Sequence, residues 1–325
     1  MGWDVVAPLV GIRCRRRTSP ILSNMKHMLE KVQLRTSTLF ASALIGEQVP
    51  PEDLATIEDP GLFGPSSVAW QVQSDTATLI GGFRSLLFQT LHPLAIAAVA
   101  DHSVMHDDPL GRFRRTVRFV LTTTIGNTEA AERQIALVNR IHAKIDGTTP
   151  DGRPYSASDS HLLLWVHATE VDSFLTAYNL YGADPLTARQ QDRYVGEMAQ
   201  IAVKLGVADD DVPTSVAELD RCLDAFRPEC EYGNEAREGV KFLLEAPMSP
   251  IARTPYAVFA AAAIDSMPTW VNEMMGVEPK MGVGPLLVRP TARATVDAVR
   301  WAATNPEHQR QLEDLFGPNY AKASN

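Results

Sequence analysis

The stretch DSHLLLWVHATEVDSFLTAYNLYG, residues 159–182, has the pattern of one strongly apolar helix that ends at Gly182. A helix that is apolar on most of its surface is expected to lie inside the protein. His167 lies within this apolar surface, among Leu163, Val171 and Phe174. The segment therefore predicts a buried central helix that carries a buried histidine.

Helical patterns also fill most of the chain on both sides of this segment. Residues 75–100 form an apolar helix or helix pair, which Pro93 should kink or divide. Two pairs have the spacing of capping boxes and predict helix starts, Thr187 with Gln190 and Ser215 with Glu218. Further helices are expected at residues 109–125, 128–145, 255–275 and 291–303.

The chain lacks the alternation of β-branched and polar residues that is typical of half-buried strands. No linker is distinct enough to divide it. We therefore predict an all-α protein with a single helical domain over residues 20–325. Residues 1–19 are expected to form a disordered or loosely packed arm.

Composition argues against several functional classes. With 30 basic and 39 acidic residues, the net charge of −9 would repel a nucleic acid. No apolar run reaches the roughly 18 residues of a membrane span. The three cysteines form no CxxC pair, which favours a reducing compartment. The apolar run 5–12 precedes its arginines, whereas a secretory signal begins with positive charge. We therefore expect a cytoplasmic protein without stable membrane insertion.

His167 is the first candidate for a functional residue, as a ligand of a metal ion. A buried imidazole needs partners for its ring nitrogens, because an unsatisfied buried polar group costs roughly 1–3 kcal/mol. A metal ion can occupy one nitrogen while a carbonyl or carboxylate orients the other. The alternative is a hydrogen-bonded core histidine without a ligand role.

A second candidate group surrounds His142, whose helix also carries Arg140 and Lys144. These residues could bind an anion such as a propionate, or form the polar side of an oxygen site. From the residues alone, a plain amphipathic helix with outward-pointing basic residues is the favoured interpretation. Arg115 belongs to a further arginine cluster that could recognise carboxylates, although a solvated helix face accounts for most of it.

The other histidines favour structural roles. His92 precedes Pro93 and is expected to be a structural residue at a helix kink. His102 and His106 are spaced i, i+4, which could bind zinc on a continuous helix. The nearby Pro109 favours a helix end there instead.

Several phrases, taken together, resemble one known enzyme family. They are LIGGFR (79–84), LHPLAIAAVADHS (91–103), DPLGRFRRT (108–116), RIHAK (140–144) and WVHATEVDSF (165–174). In this order and spacing they are similar to the actinobacterial branch of the MpaB-type oxygenases, distant relatives of latex-clearing protein, a rubber oxygenase. The resemblance covers about residues 60–275.

The resemblance implies a globin-like helical core around one non-covalent haem b. Relatives use dioxygen to cleave carbon–carbon double bonds of isoprenoid chains. His167 matches the family's proximal histidine and is the expected iron ligand. Arg140 and His142 are expected as catalytic pocket residues, with Arg115 and Lys144 as further haem contacts. The distal lysine of the latex-clearing branch has no matched position here, because loop lengths differ.

The expected function is therefore that of a haem b-dependent oxygenase. Its substrate would be a hydrophobic small molecule, such as an isoprenoid or another alkene-bearing compound. A homodimer is one possible oligomeric state. Two alternatives remain at this stage. One is a haem- or lipid-binding helical protein without turnover. The other is a helical interaction protein whose histidines are all structural.

Overall fold

The computed structural model of the chain describes residues 49–102, 109–245, 250–277 and 284–303. Within these segments the protein is predominantly α-helical, which confirms the predicted fold class. The helices are α1 (Val68–Gln73), α2 (Thr78–Gln89), α3 (Pro93–His102), α4 (Pro109–Ile125), α5 (Thr128–His142), α6 (Ser160–Tyr181), α7 (Ala188–Leu205), α8 (Val216–Phe226), α9 (Asn234–Leu244), α10 (Pro250–Asp265), α11 (Thr269–Met275) and α12 (Arg289–Ala303). The predicted arm at residues 1–19 lies outside the described residues, and the single domain and globin-like core remain predictions.

Pro93 divides the apolar segment 75–100 as predicted. Helix α2 ends at Gln89 and α3 begins at Pro93, with an angle of 102° between them. Proline has no N–H to donate into a preceding turn, so it is tolerated at a helix start and disfavoured inside a helix. Of the described helices, none is by itself long and apolar enough to span a membrane, and only this bent pair passes that test jointly.

The predicted caps also form, one completely and one in part. At the start of α7, the Thr187 hydroxyl accepts from the Gln190 N–H, and the Gln190 side chain accepts from the Thr187 N–H. At α8, the Ser215 hydroxyl caps the Glu218 N–H. The Glu218 carboxylate accepts from the N–H and hydroxyl of Thr214 instead of from Ser215.

A small antiparallel hairpin is the main departure from the predicted secondary structure. Strand β1 (Asp146–Thr148) pairs with β2 (Pro154–Ser156), and Gly147 lies opposite the buried Tyr155. Helix α5 accordingly ends at His142 instead of residue 145. Three-residue strands are too short to show the alternation by which strands are recognised. A second departure concerns the predicted helix 255–275, which the structure divides into α10 (Pro250–Asp265) and α11 (Thr269–Met275).

Helix α6 is the centre of the core, and α2 packs along it. Gly81 of α2 permits the close approach. A Cβ atom at residue 81 would lie 2.5 Å from Phe174 Cδ1 and 3.0 Å from Phe174 Cα. Helix α10 packs against the same helix α2, while α7, α8 and α12 contact α6. The apolar segment 160–181 is therefore surrounded by other helices, as its composition requires.

We expect Gly81→Ala to destabilise the fold by about 1–3 kcal/mol, because the new methyl group overlaps the backbone of α6. Gly82→Ala is the matched control. A Cβ atom there meets only Phe174 Cε1 at 3.9 Å, an ordinary contact. Alanine is favoured over glycine within a helix by about 1 kcal/mol, so Gly82→Ala should be neutral or stabilising. Urea unfolding of both variants measures the difference, and equal stabilities would contradict the proposed close approach.

Candidate cofactor site

His167 lies near the middle of α6 and is 7% exposed, as the sequence predicted. Its Nε2 atom is buried and has no hydrogen-bond partner among the described residues. Burial lowers the pKa of His167 to about 4. The imidazole is therefore neutral near pH 7, which is the form that binds a metal ion. A buried nitrogen without a partner is uncommon in a folded protein, and a metal ion is one group that could satisfy it.

Glu170 lies three residues after His167 and therefore on the same side of α6. It is partly buried, and its carboxylate makes no side-chain hydrogen bond or ion pair among the described residues. Burial raises its pKa to about 7. Its carboxyl group is therefore divided between neutral and charged forms near pH 7, which suits a group that holds or releases a proton.

Tyr194 of α7 lies close to Glu170 inside the protein. It is fully buried, and its hydroxyl accepts from Gln73 Nε2 at 3.2 Å. Burial raises the pKa of Tyr194 well above its ordinary value, and the Glu170 carboxylate adds to this shift. The phenol therefore remains protonated. Helices α6 and α7 thus present His167, Glu170 and a neutral phenol to the interior.

An ion pair between a buried arginine and a partly buried aspartate fixes the orientation of α6 next to this site. Arg84 of α2 is 2% exposed, and its Nη1 donates to Asp172 Oδ2 at 2.6 Å and to Ser173 Oγ at 2.8 Å. Its Nε donates to the carbonyl of Ser266 at 3.1 Å. The guanidinium thus joins α2, α6 and the residue that follows α10. Because these bonds begin two residues after Glu170, they restrict rotation of the helix that carries His167.

The other residues predicted for the pocket do not share this buried position. Arg140 and Lys144 are exposed at the end of α5, and Arg115 is exposed on α4. His142 is partly buried as the last residue of α5. Helix α5 packs mainly on α4 and also contacts α7. The structure therefore does not bring these four residues to the buried face of His167, and their roles remain predictions.

Sequence reasoning missed Glu170. Its i+3 spacing from His167 was the available signal, but a glutamate in a helix is normally exposed. Only the packing around α6 distinguishes it from other acidic residues. The Arg84–Asp172 pair was also missed, because its residues lie 88 positions apart.

His92, His161 and Glu229 form a second cluster of potential ligands. His92 lies at the break between α2 and α3, as predicted, and is 1% exposed. Its Nε2 lies 3.4 Å from Glu229 Oε2, and His161 Nε2 lies 2.9 Å from the same oxygen. His106 and the side chain of His102, predicted to lie at a helix end, are outside the described residues.

Comparison with known proteins gives one family match. The domain described as "ER-bound oxygenase mpaB/B'/Rubber oxygenase, catalytic domain" matches residues 70–305. This range includes His167, Glu170 and all helices from α2 to α12. No curated protein and no solved structure matches the chain.

The raised pKa of Glu170 predicts that the stability of the protein without added ligands depends on pH. Its ordinary pKa is 4.5 and its folded pKa is about 7, so the folded state binds the proton more tightly. Between these values the carboxyl group ionises in the unfolded state and stays protonated in the folded state, so the free energy of unfolding falls as the pH rises. Glu170→Gln removes this effect. The free energy of unfolding of the variant, relative to the parent, should therefore increase from pH 4.5 to 7, by up to about 3 kcal/mol.

Urea unfolding at several pH values measures this difference. Glu238→Gln, at an exposed carboxylate of α9, is the matched control for the substitution itself. A Glu170→Gln effect that is constant with pH would show that Glu170 does not titrate in this window.

Proposed function

Since the chain belongs to the family of mpaB and rubber oxygenase catalytic domains, we propose that it is a haem b-dependent oxygenase that uses dioxygen on a hydrophobic small molecule. Membership of this family was predicted from the sequence phrases and is confirmed by the match over residues 70–305. The oxygenase class follows from the family. The haem and the class of substrate are our proposal.

The observation that carries the proposal is the buried, unpartnered Nε2 of His167. The residues present fit a haem iron, because His167 is neutral, directed into the interior and held on a helix of fixed orientation. Haem b, when bound through this nitrogen, supplies the binding and activation of dioxygen. The chain contains no CxxCH sequence, so the attachment would be non-covalent.

The protein's own residues would perform three tasks. The apolar helices around α6 would exclude water and favour a hydrophobic substrate, with isoprenoid or other alkene-bearing compounds as the class. His167 would position the cofactor. Glu170 would hold a proton at its carboxyl group and release it near neutral pH, because its pKa lies at about 7.

The exposed cations have a more peripheral role in this proposal. Arg115, Arg140 and Lys144 are at the surface, where a cation suits the carboxylate of a propionate better than a buried reaction centre. His142 is partly buried and remains a candidate for a catalytic hydrogen-bond donor. Its contribution would appear in oxygen reactivity and not in haem retention.

A haem- or lipid-binding protein without turnover is the competing function. It would show the same haem content, because His167 is suited to ligation in either case. Oxygen consumption with alkene-bearing hydrophobic compounds separates the two. A haem-loaded protein that consumes no oxygen with any of them would favour the binding function.

We expect His167→Ala to bind haem more than about tenfold more weakly than the parent, because the axial bond is the main directional contact of a non-covalent haem. Added imidazole should restore part of the binding by occupying the vacated position. The pyridine haemochrome assay measures the haem content. Circular dichroism must show that the variant is still helical, since a collapsed core would also lose haem.

His142→Ala is the control for this experiment. It should retain haem while the rate of oxygen reaction changes. Full haem content in His167→Ala, together with loss in His142→Ala, would place the iron ligand on α5 and refute the assignment to α6.

A further inference from the structure

The cluster of His92, His161 and Glu229 joins three separate parts of the fold. His92 immediately precedes α3, His161 lies in the first turn of α6, and Glu229 ends the short 3₁₀ turn after α8. One nitrogen or oxygen atom from each residue lies within 4.8 Å of the others. Both histidines direct Nε2 toward the same carboxylate. Two imidazoles and one carboxylate form a ligand set that zinc prefers.

The burial of His92 distinguishes this cluster from a set of hydrogen-bonded side chains at the surface. Its side chain is 2% exposed, and its Nδ1 has no hydrogen-bond partner among the described residues. The Nε2–Oε2 distance of 3.4 Å exceeds the normal range for a hydrogen bond. It matches the separation of about 3.3 Å between two ligands of a tetrahedral zinc ion. The nearly buried imidazole of His92 thus faces the Glu229 carboxylate at a separation that would let both atoms bind the same ion.

The other two ligands give the cluster access to solvent and room to adjust. The side chains of His161 and Glu229 are 54% and 43% exposed. Both line a surface pocket of about 570 Å³. His161 Nε2 lies 3.0 and 2.9 Å from Glu229 Oε1 and Oε2, a contact that an ion would replace. Three protein ligands leave a fourth position that faces this pocket, where water or a ligand would bind.

The surrounding charges favour a cation. The same pocket is lined by the consecutive acidic residues Asp209, Asp210 and Asp211. Arg221 also lines this pocket, where the carboxylates outnumber it. Arg153, which lies near His92, is paired with Asp151 at 2.8 Å and with Glu231 at 3.2 Å. Its positive charge is therefore largely compensated. The ring of Phe226 packs on His161 with centroids 4.4 Å apart, which supports one side of the cluster.

We propose that His92, His161 and Glu229 form an open binding site for a divalent metal ion, with zinc as the best-suited ion. This site is separate from His167 and does not depend on the proposed haem. Two histidines and a glutamate would provide three ligands, and a water molecule would complete the coordination.

The test is zinc titration of the full-length chain after chelator treatment, followed by calorimetry and elemental analysis. We expect one zinc ion per chain. His161→Ala and Glu229→Gln should each weaken binding by at least about tenfold, because each removes one of three protein ligands. Both residues are half-exposed, so these variants should fold, and thermal unfolding verifies this. His92 is left unchanged because it is buried in the core.

Glu238→Gln provides the matched carboxylate control and should bind zinc as the parent does. The absence of stoichiometric zinc would overturn the proposal. So would zinc binding that persists at full strength in both His161→Ala and Glu229→Gln, since the ion would then lie elsewhere. Haem content, measured on the same samples, should be unchanged in all variants, which separates this result from the proposed oxygenase function.

Discussion

Helix α2 approaches α6 closely because residue 81 is glycine, and much of the core depends on this approach. It brings Arg84 to the side of α6, where the guanidinium is buried and paired with Asp172. Removing the Asp172 carboxylate would leave the buried Arg84 charge without its partner, and the loss of one partner of a buried pair typically costs about 3–5 kcal/mol. Close backbone packing and one satisfied buried charge thus fix how α6 is rotated.

The rotation of α6 determines what its polar residues can do. Arg84 donates to the side chains of Asp172 and Ser173, whereas His167 Nε2 is buried without a hydrogen-bond partner among the described residues. Burial then shifts both pKa values, lowering that of His167 and raising that of Glu170. One helix therefore combines a structural ion pair with a neutral imidazole and with a carboxyl group that is partly protonated near pH 7. This division of roles supports the proposed haem site.

The first turn of α6 has a different environment. His161 is half-exposed and lies beside Glu229 and the buried His92. It precedes His167 by six residues, which is about 9 Å along the helix axis at about 1.5 Å of rise per residue. The same helix thus carries both proposed sites on different turns. Because the ligands of the second cluster come from the break before α3 and the turn after α8, changes there should affect metal binding without removing His167.

The sequence by itself determined the helical class, the break at Pro93, the Thr187 cap and the burial of His167. All of these depend on residues close together in the chain, through proline geometry, capping and apolar periodicity. Only the tertiary structure decided which polar residues remain unpaired. Glu170 is distinguished by what packs around it, and His92, His161 and Glu229 meet across 137 positions of sequence. Local patterns carry no information about such distant contacts, because burial and charge pairing are set by the packing of whole helices.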